Sequence, residues 1–214
     1  MDHAHTLPIF FYVLDLLALA ALAASGALAA SRKNMDIGGY VLVGIVAAIG
    51  GGTVRDMLLG YTPVGWTQKP EYLVICLAVT TLVYFATPHV DRRETWLLWT
   101  DALGFGLYAV IGADKALAVD ASPLVAVTTG VIGATFGGVI RDVLCNDIPV
   151  ILHKEIYGTV AAAGAALYVW LHIGGVDYEA TLIISVGATF ALRAVAIVYS
   201  LSFPFDRLRL VRSL

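Results

Sequence analysis

The chain has 214 residues, of which 59% are hydrophobic and only 14% are charged, and its formal net charge is −3 at pH 7. Soluble domains use apolar and polar residues in near balance, so this composition excludes an ordinary soluble protein and indicates a membrane protein. The slightly acidic charge balance gives no reason to expect a nucleic-acid partner.

Seven apolar segments follow one another along the chain, and a helix needs about 20 such residues to cross a bilayer. The connections between them are short, which leaves no room for a soluble domain, and the third and sixth segments are short for a span. We therefore predict an all-α membrane protein forming a single transmembrane domain over residues 1–214, with helices at Ile9–Ala30, Ile37–Leu59, Tyr72–Ala86, Trp96–Ala118, Leu124–Leu144, Ile156–Leu171 and Ala180–Leu201.

The first segment ends in small residues and could be mistaken for a signal peptide. However, no lysine or arginine precedes it, and it carries Asp15. We expect it to be a retained helix.

The basic residues in the loops predict the orientation, because loops rich in lysine and arginine stay cytoplasmic. With the N-terminus outside, the outer loops hold only Lys69 and Lys115. The sequence thus predicts a multi-pass protein with an external N-terminus and a cytoplasmic C-terminus. Its cytoplasmic basic residues are then Arg32, Lys33, Arg92, Arg93, Lys154, Arg207, Arg209 and Arg212.

One motif occurs twice, as GGGTVRDMLL at Gly50–Leu59 and as GGVIRDVL at Gly137–Leu144. Matched positions are 86 residues apart, and the same offset aligns the chain without a gap from Asp15 to Pro63 with Asp101 to Pro149. Each copy therefore belongs to a longer repeat.

Each repeat contains three predicted helices, about residues 9–86 and 96–171, and the helix at about 180–201 lies outside the symmetry. Because three is odd, the second copy must enter the bilayer from the opposite face. Inverted repeats of this kind build a passage at their interface in many transport proteins.

The glycines of the motif allow two interpretations. Small residues every fourth position let helices pack closely, which suits Gly44 and Gly130. Consecutive glycines weaken a helix instead, so we expect a kink or a break in the second helix at Gly50, Gly51 and Gly52 and in the fifth at Gly137 and Gly138.

Four charged residues follow these glycines by about one helical turn: Arg55, Asp56, Arg141 and Asp142. Charges deep in a bilayer cost about 2.5 to 3.5 kcal/mol or more and rarely face lipid. They either brace the helices through ion pairs, with Asp15 and Asp101 as candidate partners, or line an aqueous pathway.

Other polar residues near the predicted spans have plainer interpretations. Lys115 either ends a helix in solvent or projects into the outer mouth of a passage, where it would respond to voltage. We expect Arg193 to have a structural partner, and Trp66 and Tyr72 to be interface anchors.

No catalytic or metal-binding constellation is visible in the sequence, which lacks a Walker motif, a nucleophile elbow and a His/Glu metal box. Cys76 and Cys145 have neither CxxC nor Cys/His spacing. We expect no enzyme, no metal site and no cofactor.

The paired motifs GGGTVRDMLLG and GGVIRDVLCNDIP, with the seven helices, resemble the bacterial branch of the trimeric intracellular cation (TRIC) channel family from Asp15 to Leu201. The resemblance implies a homotrimer in the lipid of the bacterial plasma membrane. It also implies a pore in each subunit, bounded by kinked second and fifth helices near Arg55, Asp56, Arg141 and Asp142. The permeant ions would be monovalent cations, chiefly potassium, with sodium as a second candidate. Phe136 departs from the pattern, since a third glycine might be expected there.

Three functions remain open from the residues alone. A potassium channel is the leading hypothesis, although two arginines near a pathway would repel cations unless carboxylates or carbonyls offset them. Related bacterial sequences are labelled glycine transporters, and a transporter of a small zwitterion would use arginine to bind a carboxylate. A membrane scaffold needs no pathway.

Overall fold

The computed structural model describes residues 9–90, 93–152, 156–199 and 201, with side chains from residue 12 onward. This part of the chain contains seven α-helices and three short 3-10 turns, and no strand. The helices are α1 Ile9–Arg32, α2 Ile37–Leu58, α3 Pro70–Ala86, α4 Arg93–Leu117, α5 Pro123–Leu144, α6 Tyr157–Ile173 and α7 Tyr178–Val198.

Six of these helices are long and apolar enough to cross a membrane, whereas α6 has only 17 residues. The predicted all-helical membrane fold is thus confirmed, and the chain is a multi-pass membrane protein. Five of the basic residues behind the predicted orientation lie outside the described residues: Arg92, Lys154, Arg207, Arg209 and Arg212.

Two of the helix starts that differ from the prediction are at prolines. Pro70 and Pro123 begin α3 and α5, although the sequence interpretation placed both in loops. Proline lacks the N–H that the first turn leaves unpaired, and its fixed φ suits a helix, so it is favoured at this position. In α7 the helix ends at Val198, before the predicted end at Leu201.

The backbone repeats itself at the turns as well as in the helices. Asn34 and Asp120, 86 residues apart, both have a positive φ, of 52° and 57°. Gly60 and Asn146, with the same separation, have φ values of 74° and 53°. The turn before α2 therefore matches the turn before α5, and the turn after α2 matches the turn after α5.

Glycines also pack the first two helices of each half in the same way. A Cβ added to Gly26 of α1 would lie 2.7 Å from the Cα of Gly44 in α2. The equivalent distance from Gly112 of α4 to Gly130 of α5 is also 2.7 Å. These close contacts confirm the packing role predicted for Gly44 and Gly130.

Helices α2 and α5 pack against each other at the centre, as do α1 and α4, while α7 packs on α4 and α6. Buried alanines dominate the core between these elements, for example Ala23, Ala47, Ala109 and Ala134. Small side chains bring the backbones close together, which positions the charged residues of α2 and α5 inside the protein.

Candidate functional site

The site begins where α2 and α5 cross. A Cβ at Gly51 would lie 2.3 Å from the carbonyl oxygen of Gly133, and one at Gly137 would lie 2.2 Å from that of Ala47. Contacts this short admit no side chain. As the chain advances from Ala47 to Gly51, its partner moves back from Gly137 to Gly133, so the two helices run antiparallel.

Both helices remain α-helical through their glycines, over Ile37–Leu58 and Pro123–Leu144. The predicted break in each helix is therefore wrong, while the kink at these glycines stays a prediction. Glycine is needed at positions 51 and 137 because the backbones of the two helices are in contact there. This close contact explains both glycines without a break in either helix.

The next glycine in each motif has a different role. A Cβ at Gly52 would meet only the Arg55 guanidinium, at 3.6 Å, and one at Gly138 would lie 3.5 Å from Nη2 of Arg141. These are ordinary van der Waals distances, so each of these glycines lies beside the arginine that follows it in the same helix without being required by a close contact.

Arg141 lies in a closed network that we call the Arg141 cluster: Arg141, Asp101, Asp142, Ser25 and Tyr157. Its Nη1 donates to Asp101 Oδ1 at 2.7 Å and to Ser25 Oγ at 2.6 Å, and its Nε donates to Asp142 Oδ1 at 2.8 Å. Tyr157 donates to the other oxygen of Asp101 at 2.8 Å. Only 1% of Arg141 is exposed. The cluster joins α1, α4, α5 and α6.

Helix α7 adds a second cation to this region. The Arg193 guanidinium lies 4.6 Å from the ring centroid of Tyr157. This cation–π contact gives Arg193 the structural partner that the sequence predicted.

Arg55 lies in the Arg55 cluster, which consists of Arg55, Asp56 and Lys115. Its Nε and Nη2 donate to Asp56 Oδ1 at 2.9 and 2.7 Å. Lys115 donates to both oxygens of Asp56, at 3.1 and 3.3 Å, and the backbone N–H of Gly65 donates to Oδ2 at 3.2 Å. One carboxylate thus serves two cations.

The two clusters differ at equivalent atoms. Arg141 pairs with Asp101, as the sequence suggested, but no ion pair joins Arg55 to Asp15, the residue equivalent to Asp101. Instead, Asp15 Oδ2 accepts from the hydroxyl of Tyr72. Among the described residues, Nη1 of Arg55 has no hydrogen-bond partner although it is buried.

A cavity of about 170 Å³ adjoins the Arg55 cluster, with walls from α1, α2, α3, α4 and the loop after α2. Three basic side chains, those of Arg55, Lys69 and Lys115, and two acidic ones, those of Asp15 and Asp56, line it. Lys69 Nζ lies 5.3 Å from the ring centroids of both Tyr12 and Tyr72. The Arg141 cluster takes no part in the lining.

Tyr61 flanks the cavity from the loop after α2. Its hydroxyl donates to the backbone carbonyl of Lys115 at 3.2 Å, and Lys115 Nζ lies 5.4 Å from its ring centroid. Burial, with the nearby carboxylates of Asp114 and Asp56, raises the pKa of Tyr61. Its hydroxyl therefore remains a neutral donor at physiological pH.

The structure thus places these predicted site residues in three places: the helix crossing, the cavity lining and the Arg141 cluster. Gly50, Gly51 and Gly137 lie at the helix crossing, where a Cβ on Gly50 would lie 3.2 Å from Ile140. The charged residues form two groups. Asp15, Arg55, Asp56 and Lys115 line the cavity, and Asp101, Arg141 and Asp142 lie in the closed cluster.

The sequence interpretation missed the role of the tyrosines. It read Tyr72 as an interface anchor and did not single out Tyr157, yet each holds the first-helix aspartate of its repeat. These tyrosines are 85 residues apart, so the offset of 86 does not align them. A repeat alignment with a one-residue gap after Pro63 would reveal the pair.

A protein-family model described as "Glycine transporter" matches the chain twice, at residues 12–88 and 98–173. The two matches contain most of α1–α3 and α4–α6 respectively. The family model therefore describes one repeat, and the chain contains two.

Solved structures are similar over nearly the whole chain. A TRIC trimeric intracellular cation channel orthologue from Rhodobacter sphaeroides has 44% identity and a TM-score of 0.86, covering 91% of this chain and 100% of that one. A second prokaryotic TRIC channel has 28% identity and a TM-score of 0.86, covering 91% and 99%.

Among curated proteins, the chain is similar to the UPF0126 inner membrane protein YadS of Escherichia coli K12. The two are 37% identical over 195 residues, which is 90% of this chain and 94% of YadS.

Proposed function

This chain belongs to the glycine transporter (TRIC-like) family, and from that premise we propose that it is a monovalent-cation channel that passes chiefly potassium. The similarity to two TRIC channel structures over 91% of the chain supports this choice. In the proposal each subunit of a homotrimer holds its own pore, in the plasma membrane of a bacterium.

The observation that carries the proposal is the cavity and the position of Asp15 in it. Within the described part of the chain, no hydrogen bond reaches Asp15 Oδ1, so a carboxylate oxygen remains available at the cavity wall. Asp56 binds both Arg55 and Lys115 directly and so offsets part of their positive charge. A cation entering the cavity would therefore meet an acceptor and not an unshielded arginine.

The pathway we propose runs from this cavity along the crossing of α2 and α5 towards the Arg141 cluster. The antiparallel crossing supports an inverted arrangement of the two repeats, with α7 as the additional helix. In this proposal the two arginines lie towards opposite ends of the pathway. The cavity would then open to the outside, if the N-terminus is external as the loop charges indicate.

A second candidate function is transport of a small zwitterion such as glycine. The cavity favours it in one respect, because cationic Arg55 and Lys115 share the lining with the carboxylate of Asp15. A zwitterion presents the complementary carboxylate and ammonium groups, and arginine binds carboxylates well.

Fluxes into liposomes separate the two candidates. Purified protein is reconstituted in vesicles under a potassium gradient, and potassium efflux and uptake of labelled glycine are measured in parallel. The channel predicts rapid potassium efflux that is indifferent to glycine. Saturable, gradient-dependent glycine uptake without potassium efflux would identify a transporter, and neither flux would indicate a scaffold. Empty vesicles and the variant Lys33→Gln, outside the cavity lining, serve as controls.

A further inference from the structure

We propose that Arg55 and Asp15 form an ion pair in a second conformation of the protein, and that this pair closes the cavity. Arg55 is then a gating residue at its own end of the pathway, while Arg141 is a fixed brace. The inference deepens the proposed function, since the cavity is the mouth of the proposed pathway.

The strongest support is a comparison of equivalent atoms in the two repeats. In the second repeat, Nη1 of Arg141 donates to Oδ1 of Asp101 at 2.7 Å. The corresponding atoms of the first repeat are Nη1 of Arg55, which is buried without a partner, and Oδ1 of Asp15, to which no described residue donates. The two atoms that would form the pair are thus both unused.

The remaining contacts of the pair are already in place. Tyr72 holds Oδ2 of Asp15 as Tyr157 holds Oδ2 of Asp101. Gly52, one turn before Arg55, has no side chain, so its own position in α2 offers no side-chain obstacle to the guanidinium. Closure therefore requires the arginine and aspartate to approach each other across the cavity that both line.

Asp56 would keep its partners when Arg55 turns away from it. Lys115 donates to both of its oxygens, and the N–H of Gly65 donates to Oδ2. The exchange of Arg55 from Asp56 to Asp15 thus leaves no carboxylate without a donor. A buried charge left without a partner is strongly destabilising, and the contacts from Lys115 and Gly65 avoid that cost at Asp56.

One residue accounts for the different behaviour of the two arginines. Arg141 Nη1 has a second acceptor, the hydroxyl of Ser25, at 2.6 Å. The position equivalent to Ser25, 86 residues on, is Ile111, which lines the cavity and has no polar side-chain atom. Arg55 therefore lacks the hydroxyl that helps to hold Arg141 in its closed position.

The test is to supply that hydroxyl and measure closure without measuring current. In a background with Cys76 and Cys145 replaced by alanine, Ile49→Cys reports access to the cavity, because Ile49 lines it. The labelling rate with a charged, membrane-impermeant thiol reagent is compared between Ile111→Ser and Ile111→Ala. These two differ only in the hydroxyl group.

We expect Ile111→Ser to be labelled about two- to tenfold more slowly than Ile111→Ala, which is the range for one net hydrogen bond. Adding Asp15→Asn should abolish this difference, because the closing partner has lost its charge. Equal labelling of the serine and alanine variants would overturn the proposal, as would a serine effect that persists with Asp15→Asn. Size-exclusion profiles confirm that each variant is folded.

The labelling experiment tests the Arg55–Asp15 pair, and the current measurement tests the channel separately. A serine-dependent change in labelling without potassium currents would support the Arg55–Asp15 pair and refute the channel. Currents with no serine effect on labelling would refute the pair and leave the channel intact.

Discussion

Nη1 of Arg141 lies 2.7 Å from Oδ1 of Asp101, and this ion pair links α5 to α4 with Arg141 only 1% exposed. The same two residue types in the first repeat, Arg55 and Asp15, instead line a cavity of about 170 Å³. Duplication of one sequence motif has therefore produced one structural ion pair and one open polar site.

This difference predicts unequal effects of one substitution at two equivalent positions. Asp101→Asn should lower the free energy of unfolding by about 1.5 to 3 kcal/mol, because it removes one of the two carboxylates paired with the buried Arg141 and leaves only Asp142. Asp15→Asn should cost about 1 kcal/mol or less, since no ion pair joins Asp15 to a residue that the structure describes and the amide oxygen can still accept from Tyr72.

Thermal unfolding in detergent, followed by tryptophan fluorescence or by loss of the size-exclusion peak, measures both variants. Equal destabilisation by the two substitutions would contradict the distinction between the clusters.

The two glycines at the crossing of α2 and α5 should not tolerate alanine. Gly51→Ala and Gly137→Ala introduce a Cβ within 2.3 Å and 2.2 Å of a backbone oxygen in the facing helix. We expect each to destabilise the protein by at least about 1 to 3 kcal/mol through overpacking. Folded-protein yield and thermal stability report the effect.

Two other glycines provide matched controls within helices. A Cβ at Gly52 meets nothing closer than 3.6 Å, and one at Gly187 in α7 has nothing within 4 Å. Alanine at either position should be neutral or stabilise by up to about 1 kcal/mol, because alanine is the better helix former. If Gly51→Ala were as stable as Gly52→Ala, the close crossing of α2 and α5 would be wrong.

Removing a positive charge from the cavity should favour cation entry. Lys115 lines the cavity with a side chain 32% exposed, so we expect Lys115→Gln to raise potassium conductance about twofold at low salt. The effect should shrink as ionic strength rises, because salt screens exposed charges. Single-channel conductance at several potassium concentrations measures it.

The control for this variant is Lys33→Gln, which removes an exposed lysine paired with Asp147 outside the cavity lining. It should leave conductance within error of the wild type. An unchanged or lower conductance in Lys115→Gln at low salt would exclude Lys115 from the mouth of the pathway.

Much of the fold could be predicted from the sequence, because the length of each apolar segment and the repeat can both be read from the order of the residues. The bounds of α2 and α5 were predicted within one residue, and the 86-residue offset recurs in the turns at Asn34 and Asp120. The prolines were less informative, since Pro70 and Pro123 mark helix starts as readily as loops.

The site could be predicted only in part, because contacts between distant residues decide it. Consecutive glycines are compatible with either a broken helix or a close helix crossing, and only the unbroken α2 with Gly133 opposite Gly51 distinguishes them. Likewise, the 86-residue offset aligns Ser25 with Ile111, but nothing in the sequence shows that Ser25 contacts Arg141.

Recordings in planar bilayers test most directly whether this protein conducts potassium through its own subunits. Purified protein is incorporated between chambers of unequal potassium chloride concentration, and unitary currents are recorded over a range of voltages. We expect discrete channel openings with a reversal potential near the potassium equilibrium potential. Currents that reverse near the chloride equilibrium potential, or no unitary currents from folded and correctly inserted protein, would contradict this expectation.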